Sequence, residues 1–522
     1  MSSKTLAGLG VVLLVIAVAL GVYGYMTMQK ANQATKDIDI ANQYIEKELD
    51  AFADNGPANQ TAFNYFLKAK QYLDDAIKID PNLGVAYYDL AVAYGNDGFF
   101  HHYYKFPNQT KFTQAIPWYL EHDNKEMANW MYWAQWAFEN ATYYAKKAAE
   151  FPELKGLAYQ QLGAIYYDYA DNYTMRKNLV LKYDFMALNY SDQIIKHSGK
   201  YGIAALYTNI ARTYLAMAEP KLAANWYWKA FHTYPIDTAY EHLTWTLIDL
   251  GNWSGAYWVS LQFLKHKEWE SDLGLMPAAI STFYLGYPYY EKGDYAKMMS
   301  WWNKSLEYCN EIITKFGPSS DYYGEAARLK ALIYFYLGDY YIKHNNTQLG
   351  DTYIKKSLKM LQEDVKAMTD HITNPDVPAE VPGSYYERAL AYYYIGLINS
   401  ELGGNKSATM NSFEKAKADL VYLMDNPWMS NREVAHRNYY VLSYIGLSGL
   451  YIKMYKMTGN ETYLKMAKST LEKFQNVLDS NKDLVGWRHM FQDKYGKNFG
   501  EGIYEQMLKV GGIPVYFGVL EH

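Results

Sequence analysis

Cysteine is almost absent: Cys309 is the only one in 522 residues. A lone cysteine permits no internal disulfide and no cysteine-based zinc cluster, so stability has to come from packing. Runs of one charge sign are missing as well. Fifty basic and fifty-five acidic residues leave a formal net charge of −5 with no Lys/Arg block, which argues against a nucleic-acid partner. Catalytic signatures are also lacking. There is no HExxH, no phosphate-binding Walker loop and no haem-attachment CxxCH; GLSG at 446–449 has the wrong spacing for a nucleophile elbow, and GGNKS at 403–407 has the wrong spacing for a phosphate loop. Cys309 falls in a helical pattern (WWNKSLEYCNEI) where a small buried apolar role fits better than a nucleophile. His436 and Arg437 read as a solvated helix surface. The expectation is a protein that is not an enzyme, with no catalytic, cofactor-binding or metal-binding residues.

What is abundant is tyrosine, at 56 residues. The other conspicuous feature is at the start. From Leu6 to Met26 the chain carries no charge (LAGLGVVLLVIAVALGVYGYM), and at about 1.5 Å per residue this stretch crosses a hydrocarbon core of about 30 Å. The competing reading is a secretory signal, since Lys4 makes a short basic region and Ala17 and Ala19 have a cleavable small-x-small spacing. Continuity favours an anchor. No Pro or Gly follows Gly24 until Gly56, and Ile38, Ala41, Ile45, Leu49 and Phe52 keep helical spacing. Residues 1–28 therefore read as a transmembrane anchor and 29–58 as a helical stalk.

Ten Asn-x-Ser/Thr sequons follow, at Asn59, Asn108, Asn140, Asn172, Asn189, Asn252, Asn303, Asn345, Asn405 and Asn460, where chance would give about three. That excess points to a large glycosylated domain outside the cell and a single-pass, N-in orientation. A glycosylated ectodomain without disulfides suits an archaeal cell surface better than an animal one.

Internal repetition organises the rest. In YTNIARTYLAMAEPKLAANWYWKAFHTYP (207–235), Tyr207, Ile210, Ala211 and Tyr214 share a first helix, Ala223, Tyr227 and Ala230 a second, and Pro235 ends it. A small residue at Ala211 admits the paired helix, flanking aromatics fill the space around it, and proline stops the hairpin. The first-helix pattern recurs at Tyr87/Leu90/Ala91/Tyr94, Tyr159/Leu162/Gly163/Tyr166, Tyr240/Leu243/Thr244/Leu247 and Thr282/Leu285/Gly286/Tyr289. Later copies are Tyr334/Leu337/Gly338/Tyr341, Tyr392/Ile395/Gly396/Asn399 and Tyr444/Leu447/Ser448/Tyr451. Successive copies lie 72, 48, 33, 42, 52, 58 and 52 residues apart, so most are elongated or interrupted.

These spacings resemble the tetratricopeptide repeat (TPR). The resemblance implies an all-α fold, a TPR-like α-solenoid of stacked helical hairpins over residues 59–475, with an insertion at about 98–123 and a C-terminal cap and apolar tail at 476–522. It also implies a scaffold that binds other envelope or membrane proteins along a concave groove lined by first helices. Asn252, Asn345, Asn405 and Asn460 fall in the turns joining first and second helices, and equivalent turns stack along one edge of a solenoid. Glycans should coat that edge and leave the loops near Pro81, Pro152, Pro235, Pro318 and Pro427 bare.

Two other readings stay open. Self-association into a surface filament or layer would use the N-terminal helix and the apolar tail GGIPVYFGVLEH; a glycan-binding module would use exposed Tyr and Trp. The aromatic run Phe99, Phe100, His101, His102, Tyr103 and Tyr104 follows the Gly95 and Gly98 break and opens the insertion. Adjacent histidines point apart, which disfavours metal binding, and the run is read as packing or as a partner or sugar contact.

Overall fold

A computed structural model describes residues 28–51, 60–103, 125–169, 173–267, 269, 271–317, 322–373, 381–401, 406–426, 439–481 and 484–513. Among them no strand occurs. No helix among the described residues is long and apolar enough to cross a membrane, and the expected span at 6–26 lies outside them.

The chain divides into two compact units. The first holds α1 (28–51), α2 (Gln60–Ile79), α3 (Gly84–Tyr103), α4 (Lys125–Ala148), α5 (Lys155–Tyr169) and most of α6 (Leu181–Leu188). The stretch expected as a stalk is helical through residue 51, and one of its faces is packed. Ala34, Ile38, Ala41 and Ile45, spaced three and four apart, are buried in one core with Phe66, Leu73, Leu90 and Phe138. Tyr44 stacks on Tyr65 and Tyr72 at 5.9 and 6.0 Å. Its apolar stripe thus serves the unit that follows.

A break at Gly95 and Gly98 does not occur: α3 runs unbroken to Tyr103. The two glycines serve close packing instead. A Cβ on Gly98 would lie 3.0 Å from the Phe138 ring, and one on Gly95 3.0 Å from the Gln161 amide. Residues 104–124, which hold most of the expected insertion, lie outside the described residues.

The second unit runs from Ser198. The helix Ser191–Ala216 (α7) is broken at Gly199, whose φ of 63° and ψ of −158° end one helical segment and start the next. Hairpins follow in order: α8 (Pro220–Thr233), α9 (Asp237–Asp249), α10 (Trp253–Phe263), α11 (Asp272–Glu291), α12 (Tyr295–Glu311), α13 (Tyr323–Lys343) and α14 (Thr347–Thr373). Then come α15 (Val381–Glu401), α16 (Lys406–Asp425), α17 (Tyr439–Thr458), α18 (Thr462–Ser480), α19 (Val485–Tyr495) and α20 (Phe499–Val510).

The small third position of each signature is where paired helices meet. Ala211 and Tyr227 are both fully buried, sixteen residues apart. Gly286 faces Trp302 and Gly338 faces Ile354 at the same separation. Burying an aromatic such as Trp302 is worth on the order of 2–3 kcal/mol, so each pairing contributes more than helix propensity does.

The turns are equally regular. Five first helices end on a residue in the left-handed region: Ala218 (φ 56°), Gly251 (70°), Gly293 (71°), Asn345 (61°) and Gly459 (69°). In the first four of these the next amide donates five residues back to the fourth signature residue: Glu219 to Tyr214, Asn252 to Leu247, Asp294 to Tyr289 and Asn346 to Tyr341, at 2.8–2.9 Å. That residue then starts the second helix. Asn252, Asp294 and Asn346 each accept from the amide three residues on, at 3.0, 3.3 and 3.4 Å. One short segment ends one helix and caps the next, which fixes the angle of the hairpin.

The row of hairpins also meets its own beginning. The turn after α7 is bonded to α19: Lys221 Nζ lies 2.8 Å from Asp493 Oδ2, and His489 Nδ1 lies 3.0 Å from Glu219 Oε1. Gly486 presses so closely on the Met217 carbonyl that a Cβ there would come within 1.6 Å of the oxygen. In this closed arrangement first helices are enclosed on most sides. From Val441 to Met454, α17 buries thirteen residues, whereas its partner α18 buries a single stripe of Ala467, Thr470, Leu471, Phe474 and Leu478. Among the described residues, first helices of this unit therefore bury more of their surface than second helices do. Phe283, Phe335 and Ile445, on successive or nearby first helices, are all buried.

Candidate docking surface

With the first helices enclosed, exposed chemistry lies on the second helices. In α8 the sequence WYWKAFH places Trp228, Phe231 and His232 on neighbouring faces, and in α10 Trp258 stands 47% exposed. The rings form one cluster. Trp228 meets Phe231 edge-on at 5.2 Å, lies against His232 at 5.7 Å and reaches Trp258 at 6.2 Å. Phe231 bridges Trp258 (5.6 Å) and Tyr240 (4.3 Å), and Tyr240 extends the cluster to Trp269 at 5.2 Å. Tyr201 and Tyr234, 54% and 43% exposed, pair edge-on at 5.9 Å. Lys229 lies 3.4 Å over the Trp226 ring, and Lys265 bonds Gln262 at 2.7 Å, giving the surface a polar margin.

Helix direction fixes where this cluster lies. Phe231 and His232 close α8 and Tyr240 opens α9, so the cluster gathers at the hairpin end that carries Pro235. Asn252 is at the other end of α10, as its N-cap. Sequon-bearing turns and aromatic cluster thus occupy opposite ends of the same hairpin. The sequence pattern marks this edge as bare but does not single out Trp228 and Trp258, which stand at different positions of their helices, 9 and 6 residues after the N-cap residues Glu219 and Asn252.

The other expected site residues are spread over the structure. Asn252, Asn345 and Asn460 are exposed in first-to-second helix turns, with Asn460 Oδ1 accepting from the Thr462 amide at 3.0 Å. Asn189 is exposed in a turn and Asn303 exposed within α12. Asn140 is half-buried inside α4 and donates to the Trp136 carbonyl at 2.8 Å. Asn59, Asn108, Asn172 and Asn405 lie outside the described residues. Phe99, Phe100, His101, His102 and Tyr103 form the last turn and a half of α3, and Tyr104 lies outside the described residues, as do His436 and Arg437. Cys309 is buried in α12, and burial pushes its thiol up to about 12, which leaves it without nucleophilic thiolate at neutral pH.

Sequence reasoning missed a set of enclosed acids. Glu48 and Asp97 are both fully buried in the first unit, and Asp89 is 8% exposed. In α6, Asp184 is also fully buried, its Oδ1 pressed against Gly163 where any Cβ would collide. In the second unit Asp364 of α14 sits 3.8 Å from Arg328 of α13, which is also 3.0 Å from Glu387 of α15. Beside them Arg388 grips Asp419 with two bonds of 2.9 and 2.7 Å and reaches Thr369 Oγ1 at 3.1 Å.

No family model matches the chain, and no curated protein matches it. Among solved structures, a circular tandem repeat protein with novel repeat topology and enhanced subunit contact surfaces aligns with 89% of this chain and 100% of its own, at 12% identity and a TM-score of 0.21. A likeness that weak transfers nothing. What the chain's own coordinates establish is the class: a helical repeat of stacked, tyrosine-rich hairpins.

Proposed function

We propose that the protein is a non-enzymatic scaffold of the TPR type, anchored in the cell membrane by its N-terminal helix, with its repeats outward. On this reading it holds another protein of a cell-envelope or membrane complex. The observation that supports it is the cluster of Trp228, Phe231, His232 and Trp258 at the hairpin end away from the Asn252 turn. Partly exposed tryptophans with a polar margin are the residues that dominate protein interfaces, and glycans on Asn252, Asn345, Asn405 and Asn460 would leave that end open. The TPR assignment itself rests on the signature positions and the recurrent turn chemistry.

Cross-linking mass spectrometry in native membranes tests the proposal. Lys229 and Lys265 flank the cluster and should link to one membrane complex, and the Trp228→Ala/Trp258→Ala variant should lose those links. Links only to other copies would favour a filament or layer, and links unaffected by the variant would sink the proposed surface. The paired indoles also suit a sugar face, so a glycan-binding module remains a second reading. Retention on a glycan array that the same variant abolishes would select it.

A further inference from the structure

At two seams between hairpins of the second unit, tyrosines meet by their hydroxyls. Tyr257 of α10 and Tyr308 of α12 are 3.3 Å apart, oxygen to oxygen, with ring centroids 6.5 Å apart. Tyr295 of α12 and Tyr341 of α13 are bonded hydroxyl to hydroxyl in the same way, with centroids 5.9 Å apart. Neighbouring rings hold these side chains in place. Trp301 meets Tyr257 edge-on at 5.8 Å, Tyr340 stacks on Tyr295 at 5.0 Å, and Tyr353 lies flat on Tyr341 at 5.7 Å. All four tyrosines are half-buried, so small solutes still reach them.

The hydroxyl edge is the edge that reacts when a phenol is oxidised, because the unpaired electron of a phenoxyl radical is shared with the two ring carbons beside the one that bears oxygen. Rings that touch by their hydroxyls hold those carbons close together. We propose that Tyr257–Tyr308 and Tyr295–Tyr341 are oxidative cross-link sites, at which hydrogen peroxide acting through a haem peroxidase joins the two rings and staples α10 to α12 and α12 to α13. In a chain whose only cysteine is Cys309, these bonds take the place of disulfides.

The chemistry balances. Each ring gives up one electron and its hydroxyl proton, and the two radicals couple through a new carbon–carbon bond. Each coupled carbon then loses its own proton, and each oxygen regains one. Peroxide takes up the two electrons and two protons and leaves as two waters. Burial, and then the hydroxyl each one meets, push the Tyr308 phenol up and the Tyr341 phenol to about 12, so at neutral pH these two still carry the proton that must leave. The links close loops of 51 and 46 residues, which restricts the unfolded chain and favours the folded one.

Peptide mass spectrometry on dilute full-length protein tests this, with peroxide and peroxidase added until the exposed Tyr143, Tyr201 and Tyr234 have reacted. Two linked peptide pairs should appear, each lighter by two hydrogen atoms than its separate peptides, joining Tyr257 to Tyr308 and Tyr295 to Tyr341. The treated protein should also unfold at a higher urea concentration than the untreated one. Tyr257→Phe should lose the first link alone, and Tyr341→Phe the second alone. Should either variant misfold, Tyr308→Phe and Tyr295→Phe carry the same expectations. Absence of either link from the wild-type protein once the exposed tyrosines have reacted would overturn the proposal. An unchanged urea midpoint with both links in place would overturn it too.

Discussion

Trp302 lies directly beneath Gly286. A Cβ on that glycine would be 2.5 Å from the indole Cδ1, and the indole N–H donates to the Phe283 carbonyl at 2.9 Å, one helical turn away. Seven residues on, Gly293 has nothing within 4 Å of an added Cβ, yet its φ is +71°. The same substitution should therefore fail for different reasons at the two sites. Gly286→Ala displaces a locked indole and should cost about 1–3 kcal/mol, with Ser no better than Ala. Gly293→Ala forces the left-handed region on a side chain and should cost about 1–2 kcal/mol, with Asn milder than Ala. Chemical denaturation of the four variants checks this; equal ranking of Ala and polar substitutions at both sites would contradict it.

Closure of the second unit depends on fit more than on charge. The ion pair that joins the start of α8 to α19 is solvent-exposed: Lys221 and Asp493 keep 70% and 61% of their side-chain surface. Exposed pairs contribute at most about 1 kcal/mol, whereas Gly486 touches the Met217 backbone directly. Lys221→Ala should leave the melting temperature nearly unchanged. Gly486→Val should lower it and raise protease susceptibility around residues 217–221 and 485–495. A larger loss from Lys221→Ala than from Gly486→Val would show that charge holds the closure.

These residues also show what was legible beforehand. The small third signature position and the turn five residues after the fourth are local patterns, so Ala211, Gly286 and Gly338 could be placed without coordinates. Glycine was ambiguous at Gly95 and Gly98, where it can mark a helix end or a close approach; the Phe138 ring and the Gln161 amide decide for approach, and neither is near in sequence. Contact between Met217 and Gly486 leaves no local trace at all, since 269 residues separate the two. The enclosed acids were invisible for the same reason. Asp184 reads as an ordinary helical polar residue until Gly163 is seen to cover it.

Arg388 and Asp419 provide a different kind of test. Their forked pair is mostly enclosed, with 15% and 8% of the side-chain surfaces exposed. Removing one partner strands the other, and replacing both need not. Arg388→Met alone should cost about 3 kcal/mol or more, and adding Asp419→Leu should recover a large part of it. Arg388→Lys should also destabilise, since an ammonium cannot bond both oxygens and Thr369 at once. A double variant no more stable than the single one would mean that packing around Tyr385, whose ring lies 5.2 Å from the guanidinium, dominates the site.

Stability should depend on pH through Asp364. Burial is the main cause that lifts its carboxyl to about 7, the Glu387 charge adds to it, and Arg328 opposes both from 3.8 Å. An unfolded aspartate titrates near about 3.9, so between those values the folded chain keeps a proton that the unfolded chain has released. Raising pH across that interval therefore favours unfolding: Asp364's contribution is greatest near about pH 4 and is lost by about pH 7, the reverse of a salt-bridged carboxylate. Asp364→Asn should flatten this part of the profile, and its gain over wild type should appear near neutrality and vanish near about pH 4. Urea titrations of both proteins at several pH values decide the matter, and parallel profiles would place the Asp364 proton elsewhere.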